Sequence, residues 1–384
     1  MRLRSHSERI PKPRFVIGLW ERLFSPLAFL VIVSNNSRLG RTKPFRASGI
    51  KMRRAPNRSA MKEEGKVFVG IDIGGTKTAV LLSAQPPDVL LRAEFPTRPF
   101  KGPEQALNLI KRAIRELLSE ENLQISAIRC LGVSCGGPLD RIRGIIQSPP
   151  NLPTWDNVPI KAILEEEFKV ECLIENDANA GAVAEHRFGA GKGCRNMVFL
   201  TMGTGLGAGI ITDGRLYRGT DDLAGEVGHL RLTRTGPVGH NKAGSAEGWA
   251  SGGGLAQVAG RVVASAIRNG RRTVLAKHLR PGKQITAREV ALAARKGDTV
   301  AREILRSTGE RLGEVLAILV DLLNPERIVI GGLAIRLGDL LLEPARRVMR
   351  REALELPARS CHVVPAALGE RIGDVAALCV AMGI

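Results

Sequence analysis

The sequence predicts a mixed α/β protein of two domains, and three observations carry that expectation. The chain has 384 residues, more than one small core can use, so two separately buried interiors are expected. Apolar runs of strand length alternate along it with segments of helical spacing. Two of the strand-like runs, one opening each half, end in glycine-rich turns at Gly74-Gly75 and Gly203-Thr204-Gly205.

The elements follow in order. Residues 67–73 (VFVGIDI) read as a buried strand, 78–83 as its return, and 89–95 as a third strand after the Pro86-Pro87 turn. Residues 104–118 place Leu107, Ile110, Ile114 and Leu117 on one helical face. A strand at 127–134, a helix at 160–168, a short strand at 171–174 and a helix from about Ala178 complete a βββαβαβα order. That order predicts a central sheet covered by helices. The second half opens with a strand at 197–201, a glycine-rich turn and a return at 208–212. Helices are expected at 248–267, 287–296 and 299–323, then a strand at 327–330 ending in Gly331-Gly332, and helices at 339–355 and 372–382.

Hydrophobic residues make up 44% of the chain and charged residues 25%, ordinary for a globular protein. The net charge of +19 suggests a nucleic-acid partner until it is located. Of the 57 basic residues 14 fall in residues 1–60, against only Glu8 and Glu21, so the remainder carries just +7. With aromatics at 4%, a stacking platform for single strands is not expected, and no nucleic-acid partner is predicted. The six cysteines, at 130, 135, 172, 194, 361 and 379, include no C-x-x-C pair; they read as free thiols of a reducing cytoplasm.

Residues 1–60 read as a basic, disordered extension, or as sequence upstream of a natural start at Met61. Their apolar run at 23–33 is too short to span a bilayer, so no membrane partner is expected. Pro11, Pro13, Pro26, Pro44 and Pro56 interrupt the amphipathic pattern that a DNA-reading helix-turn-helix needs.

Four motifs carry chemistry. GIDIGGTKT at 70–78 puts Asp72 at a strand end and Gly74, Gly75 and Thr76 in a tight turn whose N–H groups can meet phosphate oxygens. It lacks the P-loop signature, and taken alone it could be an ordinary hairpin. MGTGLGAGI at 202–210 supplies a second such turn, so two turns on two domains could grip a polyphosphate across a cleft. ENDANAGAVAEHRFG at 175–189 places Asp177 where a strand runs into a helix. Such an aspartate is commonly just the helix cap; beside two phosphate turns it suits a base that takes a hydroxyl proton. Finally, Glu226, His229 and Glu247 lie within 22 residues of glycine-rich chain and suit the hydrogen bonding of sugar hydroxyls.

Together and in this order, the motifs resemble the ROK family of sugar kinases and sugar-responsive repressors, over essentially all of residues 67–384. CGGPLD (135–140), SPPNLPTWDNVPI (148–160) and RIVIGGLA (327–334) extend the resemblance. It implies two actin-like (ribonuclease H-like) domains with a nucleotide and sugar cleft between them: a smaller one at 61–182 and a larger one at 183–369, with the last helix (370–384) packing back on the first. It implies ATP-dependent phosphorylation of a hexose hydroxyl, glucokinase-like and at the 6-hydroxyl, with Asp177 as base. Asn176, Glu226, His229, Glu247 and the backbone near Gly137 would hold the sugar. Gly74, Gly75, Thr76, Lys77, Thr204 and Gly205 would bind the ATP phosphates, Gly331 and Gly332 would line the adenosine pocket, and Asp72 would orient Mg²⁺. A cytoplasmic homodimer is the implied form.

The chain departs from the family in one respect. Where many members hold a structural Zn²⁺ through one His and three cysteines, this chain has Val238, His240 and Ser245 in the cysteine positions. Two imidazoles do not make a closed four-ligand site, so no structural zinc is predicted, and the loop around His229 must be held by packing and hydrogen bonds. A sugar-responsive regulator without kinase activity is the alternative within the family, and an actin-like ATPase acting on no sugar lies outside it.

Overall fold

The computed structural model of the chain describes residues 50–54, 65–97 and 101–384. The first lobe runs β1 (Lys51–Arg54), β2 (Val67–Ile73), β3 (Lys77–Ser83), β4 (Leu91–Pro96), α1 (Pro103–Glu120), β5 (Ile128–Cys135), the small hairpin β6 (Leu139–Asp140) and β7 (Ile145–Ile146), α2 (Ile160–Phe168) and β8 (Cys172–Asn176). Helix α3 (Asp177–Phe188) leads into β9 (Met197–Met202), β10 (Leu206–Thr212), β11 (Arg215–Tyr217), the hairpin β12 (Val238–Gly239) and β13 (Lys242–Ala243), α4 (Ala246–Ala250), α5 (Gly252–Arg268), α6 (Ala287–Arg295) and α7 (Thr299–Leu323). The chain finishes with β14 (Arg327–Ile330), α8 (Leu333–Leu337), α9 (Asp339–Glu352), α10 (Glu355–Ser360), β15 (His362–Pro365) and α11 (Ile372–Ala381).

Two sheets of matching design result. The first has strand order β1-β4-β3-β2-β5-β8 and the second β11-β10-β9-β14-β15. In each, an antiparallel meander precedes parallel partners: β2 pairs antiparallel with β3 and parallel with β5, as β9 does with β10 and β14. The glycine turns therefore occupy equivalent places in the two sheets, between the first two strands of each meander.

Each sheet has its own core, one including Ile71, Leu131 and Trp155, the other Leu200, Leu312 and Ile328. Between the sheets lie two small-residue helices. Helix α11 packs on β2, β5 and α3, and α3 packs on β9 and β10. Strand glycines let those helix backbones come close: a Cβ on Gly132 would lie 2.1 Å from the Ala381 nitrogen, and one on Gly209 2.5 Å from the Ala178 oxygen. The boundary anticipated between residues 182 and 183 falls inside the continuous α3.

Several expectations are corrected. The extension expected over residues 1–60 does not lie wholly outside the fold, because Lys51–Arg54 pairs antiparallel with β4 and Ile50 is buried in the first core. Residues 1–49 and 55–64, with the helix-turn-helix question, lie outside the described residues. The helix expected at 248–267 breaks at Ser251, whose side chain instead accepts the Gly254 N–H and caps α5. The helix expected to reach residue 355 ends at Glu352, and the chain re-enters helix as α10 before the parallel edge strand β15. Among the described residues no helix is long and apolar enough to cross a membrane, and all six cysteines are free and buried.

Candidate active site

The carboxyl ends of β2, β5 and β8 stand side by side, since Ile73 is in register with Cys135 and Cys135 with Asn176. Ligands of open α/β sheets gather at such ends. Asp72, the Gly136-Gly137 turn and the Asn176-Asp177 junction are brought together there. At the junction Asn176, not Asp177, is the helix cap: its Oδ1 accepts the N–H groups of Ala178 and Asn179 at 2.9 and 3.4 Å. Its amide nitrogen faces Gly137, 3.1 Å from where a Cβ would stand. Asp177 is thus the first helical residue, with its carboxylate open to solvent. The surrounding protein mass pushes its pKa upward, with nearby Glu226 adding to the rise and the Ala178 N–H opposing it.

Glu175, one residue earlier, carries no functional signal in the sequence. It is 2% exposed and fully engaged: Oε1 accepts from the Asn176 N–H and from Asn179 Nδ2, and Oε2 from Arg218 Nε at 2.9 Å. A buried ion pair therefore anchors the junction that presents Asp177 to the loop that leads on to Glu226 and His229.

The first glycine turn is fixed by Thr97, whose hydroxyl donates to the Gly74 carbonyl at 2.6 Å and whose N–H reaches the Thr76 carbonyl. The second is tied to α5, with the N–H groups of Gly252 and Gly253 donating to the carbonyls of Gly203 and Thr204. Among the described residues no protein acceptor takes the N–H of Gly75, Thr76, Thr204 or Gly205. Four donors are thus left for oxygens of a ligand. Asn151, named only as part of a loop, touches both sides of the site: a Cβ on Gly75 would lie 2.5 Å from its carbonyl oxygen, and one on Gly136 3.2 Å from its amide nitrogen.

Thr204 and Gly332 line a cavity of about 510 Å³ with Gly252, Gly253, Leu333 and Arg336. Gly331 stands instead against the ring of Phe199. Lys77 is directed to Glu94, 3.1 Å away. Another depression of about 500 Å³, between α1 and α2, is lined by Lys111, Glu166 and Glu167; the Lys111–Glu167 pair at 2.8 Å marks it as a solvated charged face.

Asp72 sits among like charges in a buried setting. Burial first, then the charges of Asp177 and Asp374, push its carboxyl up to about 7, against the pull of Lys77 and Arg92. Asp374 is itself held by Arg92 Nε at 3.1 and 2.9 Å. Neither Asp72 nor Asp177 forms an ion pair among the described residues, and the charge of Asp177 raises Asp72; carboxylate oxygens of this kind are donors that suit a divalent cation.

Glu226, exposed, lies 4.0 Å from His229 Nε2, and the His229 ring is 4.5 Å from that of His240. Side chains hold this loop: Lys242 Nζ donates to the His229 carbonyl, Ser245 Oγ to that of Gly239, and Gln257 brackets both backbone groups of Val238. Glu247 accepts the Leu206 N–H at 3.1 Å.

A family model described as ROK family matches residues 68–383. A glucokinase of Halalkalibacterium halodurans is 32% identical over 80% of this chain and 92% of its own length. A xylose repressor of Caldicellulosiruptor bescii is 30% identical over 76% of this chain and 72% of its own length. Among solved structures, a ROK family glucokinase from Streptomyces griseus in complex with glucose and AMPPNP is similar with a TM-score of 0.68 at 31% identity, covering 82% of this chain and 99% of that one. Through this match and its paired sheets, the chain belongs to the ROK family and has the two-domain actin-like fold.

Proposed function

We propose that the chain is an ATP-dependent hexose kinase, with glucose and its 6-hydroxyl as the leading acceptor and Asp177 as the base. The observation that carries the reading is that Asp177 is spared from capping. Asn176 satisfies the helix start, so the Asp177 side chain stays exposed, and the two glycine turns leave four N–H groups uncommitted. The relatives named as glucokinases support the same reading.

In the proposed step Asp177 accepts the hydroxyl proton as that oxygen bonds to the γ-phosphorus and the bond to the β,γ-bridging oxygen breaks, releasing ADP. Asn176, Glu226, His229, Glu247 and the backbone at Gly137 hold the sugar so that one hydroxyl reaches Asp177. Gly74, Gly75, Thr76, Thr204 and Gly205 hold the phosphates, and Gly332 walls the adenosine cavity. Asp72 would hold Mg²⁺, which when bound neutralises phosphate charge. The reading carries with it a cytoplasmic homodimer that needs no nucleic acid, membrane or structural zinc. A sugar-responsive regulator would share the sugar pocket, but it has no use for an uncapped, exposed aspartate at the helix start together with two turns of uncommitted N–H groups.

The test is ADP release against a panel of hexoses, run beside Asp177→Asn. Turnover with at least one hexose and a loss of about 10²–10⁴ in the variant are expected. No turnover with any hexose would sink the reading.

A further inference from the structure

The side chain of Glu247 stands where three chain segments meet. Its Oε2 accepts the Leu206 N–H at 3.1 Å, directly after the second glycine turn. A Cβ on Gly205 would lie 2.6 Å from the same oxygen, and Cβ atoms on Gly228 and Gly239 would lie 3.3 and 2.8 Å from the Glu247 Cβ. Gly205 belongs to the phosphate turn, Gly228 precedes His229 in the sugar loop, and Gly239 precedes His240 in the β12–β13 hairpin. One carboxylate-bearing side chain thus threads a gap that three glycines leave open.

The segment that carries Glu247 grips the phosphate turn twice. Besides the Leu206 contact, the start of α5 holds the carbonyls of Gly203 and Thr204 at 2.8 and 3.2 Å. The other carboxylate oxygen, Oε1, has no hydrogen-bond partner among the described residues. A carboxylate has acceptor capacity on both oxygens, so Oε1 is available to a ligand while Oε2 stays with the backbone.

The geometry points to Glu247 as a coupling residue between the two substrates: a hexose hydroxyl at Oε1 and the phosphate turn at Oε2 share one carboxylate. The identity of the two ligands rests on the hexose-kinase reading. A sugar bound at Oε1 restricts the Glu247 side chain, and this restriction fixes the Leu206 N–H and the turn before it. The nucleotide then meets a turn already ordered and binds more tightly. By linkage the nucleotide must tighten the sugar by the same factor. A residue that only touched sugar would leave nucleotide binding in the absence of sugar unchanged.

The experiment is calorimetric titration of AMPPNP with Mg²⁺ into the full chain, with and without saturating glucose, and of glucose alone. In the unaltered protein glucose is expected to tighten AMPPNP about fivefold or more. Glu247→Ala should weaken AMPPNP about tenfold without sugar, through loss of a charge-assisted bond, and should abolish the effect of glucose. Gly205→Ala approaches from the other side: its methyl group displaces Glu247 Oε2, so glucose binding without nucleotide should fall about fivefold. That variant keeps the proposal testable should Glu247→Ala fold poorly. Unchanged AMPPNP affinity in Glu247→Ala, unchanged glucose affinity in Gly205→Ala, or no effect of glucose on AMPPNP in the unaltered protein would each overturn the coupling. Phosphorylation of glucose is read separately from ADP release, so the kinase reading can stand while the coupling falls.

Discussion

Arg218→Met tests whether the buried ion pair anchors the base. Glu175 is 2% exposed, and Arg218 reaches it through Nε at 2.9 Å and a terminal guanidinium nitrogen at 2.8 Å. The remaining acceptor capacity of Glu175 goes to the Asn176 N–H and Asn179 Nδ2. Methionine keeps much of the arginine stem but removes the cation, leaving a buried carboxylate with only neutral donors. Breaking one side of a buried pair costs about 3–5 kcal/mol, which for a folded body of this size lowers the thermal midpoint by roughly 4–7 °C. Asn176 and Asp177 follow Glu175 directly, so kcat should fall by a larger factor than the KM for sugar rises. Differential scanning calorimetry and steady-state kinetics read the two effects. A midpoint within about 1 °C of the unaltered protein, with unchanged kcat, would show that the pair anchors nothing.

Gly75→Ala puts a methyl group 2.5 Å from the Asn151 carbonyl oxygen; with backbone on both sides, nucleotide affinity should fall at least about tenfold by calorimetry. Lys77→Met removes an ammonium already held by Glu94, so the KM for ATP should move less than about threefold, within the reach of a surface pair. Asp72 gives a pH signature. Its folded pKa of about 7 lies above its unfolded value, so between about pH 4 and 7 the native state keeps a proton that the unfolded chain has lost. Without Mg²⁺, the Asp72 contribution to native stability therefore falls as pH rises through this window and levels off above it. Mg²⁺ displaces that proton, so its stabilising effect should be larger at pH 8 than at pH 6, and Asp72→Asn should flatten both trends in thermal melts.

Much of the architecture was legible because it is local. The strand at 67–73 and the helices at 160–168 and 299–323 coincide with β2, α2 and α7, since apolar periodicity and flanking turn residues speak for single elements. The two glycine turns were legible as a pair for the same reason. Strand β1 was not, because a basic edge strand of four residues carries no periodic signal; its pairing with β4 depends on the finished sheet. The α5 start was hidden by Gly252-Gly253-Gly254, which sequence reasoning absorbed into one longer helix. Asn151 and Glu175 are tertiary facts: one depends on a loop folding against two glycine turns, the other on Arg218, 43 residues away. Asp177 was singled out correctly as standing at a helix start, but only the structure shows that Asn176 relieves it of the capping role.

Proton acceptance by Asp177 is the central claim, and single-turnover phosphoryl transfer tests it most directly. Unaltered protein and Asp177→Asn are loaded with Mg²⁺, ATP and glucose, and glucose phosphate is followed by rapid quench. The account predicts that the variant binds both ligands within about threefold of the unaltered protein while its transfer rate drops by about 10²–10⁴. Transfer at an undiminished rate, with binding intact, would contradict it.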